Sequence, residues 1–325
     1  MRVLVVGAGA TGTVFGAALA RGGARVGWYV RPHHRERLAN GIELHRQGFL
    51  SIRDEHETGF TIATTPGEVA AGHPEGPWDQ VWFTTPSDAL REPWLEAFLP
   101  ATGKATLVVL QPDPEDIAWI RDHGGADRTI VQGLIQFSAW QSPLPREPAE
   151  RTGITYLLPP GPSALFDADR PESATIAATL TRGGLPAGVR HDLPAHAARM
   201  SAMMIPLIAG LELADWKLSR YAGHEVLRLA VAASQEAVAA ESARYSVTTP
   251  WSFRLLLGRL SVATMLHVLP WVPGFNAEAF LAYHFRKVDR QTRQMLATYR
   301  RHAQEHGLAH GALERLIATL PPPGH

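Results

Sequence analysis

Arg2-Val3-Leu4-Val5-Val6-Gly7-Ala8-Gly9-Ala10-Thr11-Gly12 stands at the head of the chain, and its reading decides the fold. The apolar run ends in a G-x-G-x-x-G spacing, and a helical pattern carrying Phe15, Ala18 and Leu19 follows at once. Strand, glycine turn and helix in that order are the context that makes the spacing a dinucleotide-binding turn rather than a chance recurrence of glycine. Gly7 permits the tight turn, Gly9 lets the backbone approach a pyrophosphate, and Gly12 lets the helix pack against the strand. Gly7, Gly9, Ala10, Thr11 and Gly12 then surround a helix N-terminus whose unpaired N–H groups and dipole favour an anion.

Outward from this turn, a second strand is expected at Arg25 to Val30. Its end is where a carboxylate would receive the ribose 2′-hydroxyl of NAD. Arg31 stands there instead, followed by Pro32, His33, His34 and Arg35, and no carboxylate lies between Trp28 and Arg35. A guanidinium pairs with a 2′-phosphate in a charge-assisted fork, so NADP(H) is the expected cofactor. His33 and His34 are not read as a metal site, because adjacent helical residues point apart and no third ligand is near in sequence.

Further strands are expected at Gln80 to Thr84, Ala105 to Gln111 and Thr129 to Phe137, alternating with helical patterns at Gly12 to Arg21, Arg35 to Asn40, Leu90 to Leu99 and Pro114 to Asp122. That alternation predicts a parallel sheet with helices on both faces. Gly41 to Ile52 and Phe60 to Thr65 read as an inserted hairpin or meander. Gln141 to Pro162 reads as irregular structure with a strand at Thr155 to Leu158. After about residue 190 the pattern is helical throughout, with helices expected at Pro194 to Ala214, Glu225 to Ala243, Pro250 to His267, Ala277 to Glu305 and Gly311 to Leu320. Pro194 and Pro250 suit first-turn positions, Thr249 suits an N-cap, and the Pro-Pro-Pro-Gly-His end reads as a frayed tail. The fold class expected is α/β: a Rossmann-type parallel-sheet domain over 1–190 and an all-helical domain over 191–325.

The 325 residues carry 31 Lys+Arg and 31 Asp+Glu, which leaves no net charge to draw the chain onto nucleic acid or an anionic membrane. There is no cysteine, which removes disulfides, thiolate metal sites and thiol nucleophiles together and points to a reducing, cytoplasmic setting. The longest apolar stretch, Met200 to Ala214, is shorter than the ~20 residues a bilayer requires and is interrupted by Ser201, Pro206, Gly210 and Glu212, so no membrane span is expected.

This arrangement resembles the ketopantoate reductase family, whose Rossmann domain followed by a helical domain is a 6-phosphogluconate-dehydrogenase-like architecture. The residues that carry the resemblance are Gly7 to Gly12, Val30-Arg31, Leu38 to Leu44, Leu110-Gln111, Gly133, Pro206-Leu207, Glu236 and His306-Gly307-Leu308. The resemblance adds Thr84, Thr85 and Gln111 to the cofactor-binding set. It also exposes a departure. The family's Lys and two Asn at four-residue intervals, lined up on Pro206-Leu207, fall on Ala197, Ser201 and Ile205. The usual Leu-Gln-Asn-Gly reads Leu110-Gln111-Pro112-Asp113, a second Lys falls on Thr85, and a late Glu falls on Gln291.

Reduction of a ketone needs a proton for the developing alkoxide, and neither Ala197 nor Ile205 supplies one. Ketopantoate is therefore not the expected substrate. The candidate catalytic residues are Ser201, Tyr283, His284 and Gln291, with His284 the one whose type titrates near neutrality. Met200, Met203 and Met204 read as core or as an apolar pocket wall, and His196 points away from the vacant Lys position on its helix. Glu212, Asp215 and Lys217 read as a cap and salt-bridge group. The expectation is an NADP(H)-dependent oxidoreductase passing hydride across an interdomain cleft to a small-molecule carbonyl, imine or enone. The alternative is a catalytically degenerate NADP(H)-binding protein with a regulatory, scaffold or non-redox role. Trp251, Trp271 and Phe253, in a chain with 9 Trp, suggest a homodimer.

Overall fold

The computed structural model describes the chain apart from Phe49, Leu50, Arg146, Pro148, His224, Pro250, Pro273, Gly274, Gly324 and His325. Pro250, expected in a first helical turn, and Gly324 and His325 of the expected tail therefore lie outside the described residues, as do parts of the Gly41 to Ile52 and Gln141 to Pro162 stretches. The chain divides into two compact units, Met1–Pro194 and Ala195–His325.

In the first unit, β1 (Arg2–Val6) leads into α1 (Ala10–Arg21) and β2 (Arg25–Tyr29). A 3₁₀ turn at Pro32–His34 and the short α2 (Arg35–Ala39) precede β3 (Ile42–Gln47), β4 (Ile52–Glu57), β5 (Thr61–Ala63) and α3 (Pro66–Ala70). Then come β6 (Gln80–Phe83), a 3₁₀ turn at Asp88–Arg91, α4 (Trp94–Ala101), β7 (Thr106–Val109) and α5 (Asp116–Ile120). The unit closes with β8 (Ile130–Ile135), β9 (Ser138–Ser142), β10 (Gly153–Leu157), β11 (Ala164–Asp167), α6 (Glu172–Arg182) and β12 (Ala187–Arg190).

The main sheet has the order β12-β11-β8-β7-β6-β1-β2-β5. From β8 to β5 every pairing is parallel. β1 lies inside this sheet, so its run is apolar throughout: Val3 and Val5 pack into one core layer, Leu4 and Val6 into the other. Chain order reverses beside β1, where β6 pairs on one side and β2 on the other, and this is the switch point at which such sheets bind ligands.

Two parts of this unit differ from the expectation. β11 runs antiparallel to β8 and pairs in parallel with β12, and neither strand is expected from the sequence, because Ala-Leu-Phe-Asp and Ala-Gly-Val-Arg are not β-branched runs. The Gly41 to Ile52 stretch does open a hairpin, β3 with β4, but that hairpin pairs with β10 and β9 completes a second sheet of order β4-β3-β10-β9; β10 answers the strand expected at Thr155 to Leu158, and β9 reaches only to Ser142 in the stretch read as irregular. Partners distant in sequence fix that sheet. The Glu55 carboxylate takes Arg21 at 2.6 Å and the Tyr156 hydroxyl at 2.9 Å, and the His45 ring lies between Asp54 at 2.7 Å and the Thr152 carbonyl at 2.8 Å.

The second unit is helical: α7 (Leu193–Leu213), α8 (Leu218–Gly223), α9 (Glu225–Arg244), α10 (Trp251–Leu256), α11 (Arg259–Val268), α12 (Ala277–Lys287), α13 (Asp289–Glu305) and α14 (Gly311–Thr319). Two expected long helices are each broken. Gly258 turns extended (φ −69°, ψ 136°) between α10 and α11, and Val288 leaves the helical region (φ −115°, ψ 29°) between α12 and α13. Glu236 explains its place in the pattern structurally: its carboxylate accepts the backbone N–H groups of Ala312 and Leu313 at 2.9 and 2.8 Å, capping α14. Pro206 has no N–H for the preceding turn of α7, and close by the Ser234 hydroxyl donates to the Met203 carbonyl at 3.0 Å. Glu212 is clasped by Arg293 (2.7 Å), Asp215 by Arg220 and Lys217 by Glu278 (3.3 Å), so the three form separate ion pairs rather than one cluster. Among the described residues no helix is long and apolar enough to cross a membrane.

Candidate cofactor site

The turn after β1 is built for close approach. Gly7 sits at φ +93°, a conformation that L side chains rarely adopt, and its N–H donates to the Tyr29 carbonyl of β2 at 3.0 Å. A Cβ on Gly12 would stand 2.3 Å from Thr84 Oγ1 and 2.6 Å from the Gly7 carbonyl oxygen, so only glycine lets α1 start this near the strand ends. Gly9 differs. It is extended (φ −73°, ψ 174°), caps α1 without a side-chain bond, and a Cβ there would meet nothing within 4 Å. The space over Gly9 and the first-turn N–H groups of α1 suit a pyrophosphate.

Thr84, Thr85 and Gln111 lie beside this turn, in two roles. The Thr84 hydroxyl donates to the carbonyl oxygens of Val6 and Gly7 at 2.8 and 3.1 Å. The Gln111 amide donates to the Thr85 carbonyl at 2.8 Å and accepts from the Leu110 N–H at 3.2 Å. Thr84 thereby ties the end of β6 to the turn, and Gln111 ties the end of β7 to the end of β6. Thr85 Oγ1 is buried without a hydrogen-bond partner, an orphaned polar atom beside Gly7 that a bound ligand group would satisfy.

Of the basic residues after β2, Arg31 is 72% exposed, with Glu92 at 3.9 Å. Arg35 is committed to Glu68 at 2.5 Å and to Thr64 Oγ1 at 2.9 Å. Glu68 is held down at about 2, first by the Thr64 backbone N–H and then by Arg35. Sequence reasoning missed two residues here. Arg37 donates to the Ala8 carbonyl at 3.1 Å, bringing a cation to the glycine turn, and Glu92 reaches Arg31 from beyond β6. Neither contact leaves a local signal, because each joins positions far apart in the chain. The His33 and His34 rings are tilted at 51° with centroids 4.0 Å apart, and no metal-binding group of three His, Cys, Asp or Glu exists among the described residues.

Past the ends of β6 and β7 lies a buried acidic knot. Ser87 donates to Asp116 at 2.7 Å, Arg91 donates to Asp116, and Arg91 lies 3.9 Å from Asp113. Both carboxylates are inaccessible to solvent. Burial first and Asp113 second push Asp116 up to about 7, against the pull of Arg91 and Ser87.

In the second unit the catalytic candidates sit on three helices. Ser201 is buried on α7 with Ala197 and Ile205, four residues either side of it on the same face. Met200 and Met203 pack against the core, whereas Met204 is exposed. Tyr283 and His284 belong to α12, and Gln291 is buried on α13. Burial, and then Lys287, push His284 down to about 4, and its ring stacks on Phe280 at 5.6 Å. His284 is therefore a neutral imidazole near pH 7 and not a charged acid. Burial also raises Tyr283 above the usual tyrosine range.

A glycine turn at the switch point of a parallel sheet, followed in the chain by an all-helical unit, defines a Rossmann-type fold of the class in which dinucleotides bind at that turn. Residues 3–141 match the family model of ketopantoate reductase PanE/ApbA, which bears out the resemblance read from the sequence. The fold extends further. The PanE/ApbA family ketopantoate reductase of Ralstonia eutropha JMP134 is 18% identical with a TM-score of 0.70, covering 98% of this chain and 96% of its own. The 2-dehydropantoate 2-reductase of Geobacter metallireducens GS-15 is 17% identical with a TM-score of 0.71, covering 98% of each chain. A D-mandelate dehydrogenase in ternary complex with NADH and anilino(oxo)acetate is 12% identical with a TM-score of 0.67, covering 98% of this chain and 96% of its own. No curated protein matches the chain in sequence.

Proposed function

We propose that the chain is an NADP(H)-dependent oxidoreductase of ketopantoate-reductase type, passing hydride to a carbonyl, imine or enone other than ketopantoate. The observation that carries this reading is the open glycine turn: Gly9 clear of neighbours, Thr85 Oγ1 unpartnered, and Arg31 and Arg37 at its rim. Gly7, Gly9, Ala10, Thr11 and Gly12 would hold the pyrophosphate, Thr84, Thr85 and Gln111 would shape the floor, and Arg31 would meet the 2′-phosphate. The bound dinucleotide would supply the hydride. The NADH complex of the D-mandelate dehydrogenase, which has the same fold, supports a nicotinamide ligand. Ala197, Ile205 and a neutral His284 support a substrate that does not present a small keto acid's carboxylate to a charged pocket. A cytoplasmic location fits the absence of cysteine.

Fluorescence titration with NADPH tests this directly. Arg31→Asp is expected to weaken NADPH by about 10- to 100-fold, the worth of a charge-assisted fork, and NADH far less. Equal losses for both cofactors would make Arg31 structural, and no binding of either by the wild type would overturn the function. Tight binding with no NADPH oxidation across a broad carbonyl and imine screen would instead favour the degenerate reading, which the missing ammonium supports.

We also propose a homodimer. Trp251 and Trp271 are 76% and 83% exposed, and Leu260, between them in the chain, 81%, whereas Phe253 is buried in the core. Light scattering is expected to give about twice the 35.4 kDa of one chain. A mass near one chain at micromolar concentration would refute it.

A further inference from the structure

Arg31 and Glu92 leave the sheet on opposite sides of the glycine turn. Arg31 follows β2 and Glu92 follows the 3₁₀ turn beyond β6, and β2 and β6 are the two neighbours of β1. A separation of 3.9 Å between their charged ends therefore means that the pair spans the carboxyl end of β1, where the turn lies. The side chains are 72% and 53% exposed, so this contact is open to solvent and can be replaced by a ligand. In dinucleotide sites of this kind a carboxylate at the end of the second strand receives the ribose 2′-hydroxyl, and an arginine accommodates the 2′-phosphate. Here both chemistries are present at one place, the carboxylate supplied by a different loop.

We propose that Glu92 is a second determinant of cofactor choice, accepting the 2′-hydroxyl of NADH and opposing the 2′-phosphate of NADPH, so that the chain uses both cofactors where Arg31 alone would select the phosphate. The inference rests on the cofactor reading of the glycine turn. A phosphate entering beside Arg31 must displace or face the Glu92 carboxylate, and like charges a few ångströms apart repel. A hydroxyl meets the same carboxylate as a hydrogen-bond acceptor. Because both groups are exposed, the repulsion is screened by salt, whereas a packing effect would not be.

The experiment is a titration of wild type, Glu92→Gln and Glu92→Asp with NADPH and with NADH, at low and at high ionic strength. Glu92→Gln is expected to tighten NADPH about fivefold to tenfold at low salt, as removal of one nearby like charge implies, and to leave NADH equal or slightly weaker. The NADPH gain should shrink toward unity in about 1 M salt, where the Debye length is only ~3 Å. Glu92→Asp should keep the wild-type order of affinities. If Glu92→Gln shifts both cofactors by the same factor, or neither, while the wild type binds them, Glu92 has no part in the choice and this inference falls alone. A wild type that binds neither cofactor would overturn the reading of the glycine turn, and this inference with it.

Discussion

Gly9→Val is expected to fold like the wild type and to lose NADPH and NADH together by about 100-fold or more. Gly9 is extended, which any residue adopts, and a Cβ there meets no heavy atom within 4 Å, so the expected cost to stability is only that of the poorer helix cap valine makes, about 1 kcal/mol. The valine methyls would instead occupy the space over the first-turn N–H groups of α1. Losing two charge-assisted hydrogen bonds to a pyrophosphate, at roughly 1.5–3 kcal/mol each, gives that loss of affinity. Gly12→Val is the contrast, because its Cβ would strike the Gly7 carbonyl and Thr84, so it should lower the melting temperature as well. Calorimetric titration alongside thermal unfolding separates the two. A Gly9→Val protein that binds NADPH at wild-type strength would mean that no pyrophosphate crosses this turn.

Arg91→Met is expected to cost about 3–5 kcal/mol of stability at pH 8, the range for stripping one partner from a buried ion pair. Arg91 faces both Asp113 and Asp116, and it also donates to the Ser87 carbonyl at 2.7 Å and lies over the Trp119 ring at 5.2 Å. The sign of the pH dependence follows from Asp116. Its folded pKa, pushed up to about 7, lies above the unfolded aspartate value, so the folded state binds the proton more tightly. That contribution is fully present below about pH 4 and is lost as pH rises through about 7. Removing Arg91 pushes Asp116 further up, so the deficit of the variant should be largest at pH 8 and shrink at pH 5, where the Asp116 carboxyl group is neutral. Adding Asp116→Asn to Arg91→Met should recover most of the loss at pH 8, since it removes the charge left unpaired. Urea unfolding of the three variants at both pH values checks this. A deficit independent of pH would assign the role of Arg91 to packing against Trp119.

How much of this was legible can be followed along the chain. β1 was read with its observed ends, Arg2–Val6, because a strand buried on both faces announces itself as a continuous apolar run and its glycine turn obeys a fixed local geometry. The same holds for β2 and for α7, where the expected and observed ends differ by a residue. The pairs α10–α11 and α12–α13 each read as a single helix because helical period continues through Gly258 and Val288, where the backbone leaves the helical region. Arg31 was legible as a cation at the end of a strand. That Glu92 answers it was not, nor that Arg37 returns to Ala8, nor that Asp113 and Asp116 share one arginine.

The sequence by itself determined the local events: which runs are buried strands and where the chain needs glycine. These follow from residues a few positions apart, whose conformational preferences act without reference to the rest of the chain. The tertiary structure alone decided the second sheet, the antiparallel β11, the neutral state of His284 and the electrostatic company of every charged group at the site. Those depend on which distant segments meet, and a charge's partner and its degree of burial are properties of that meeting rather than of the residue that carries it.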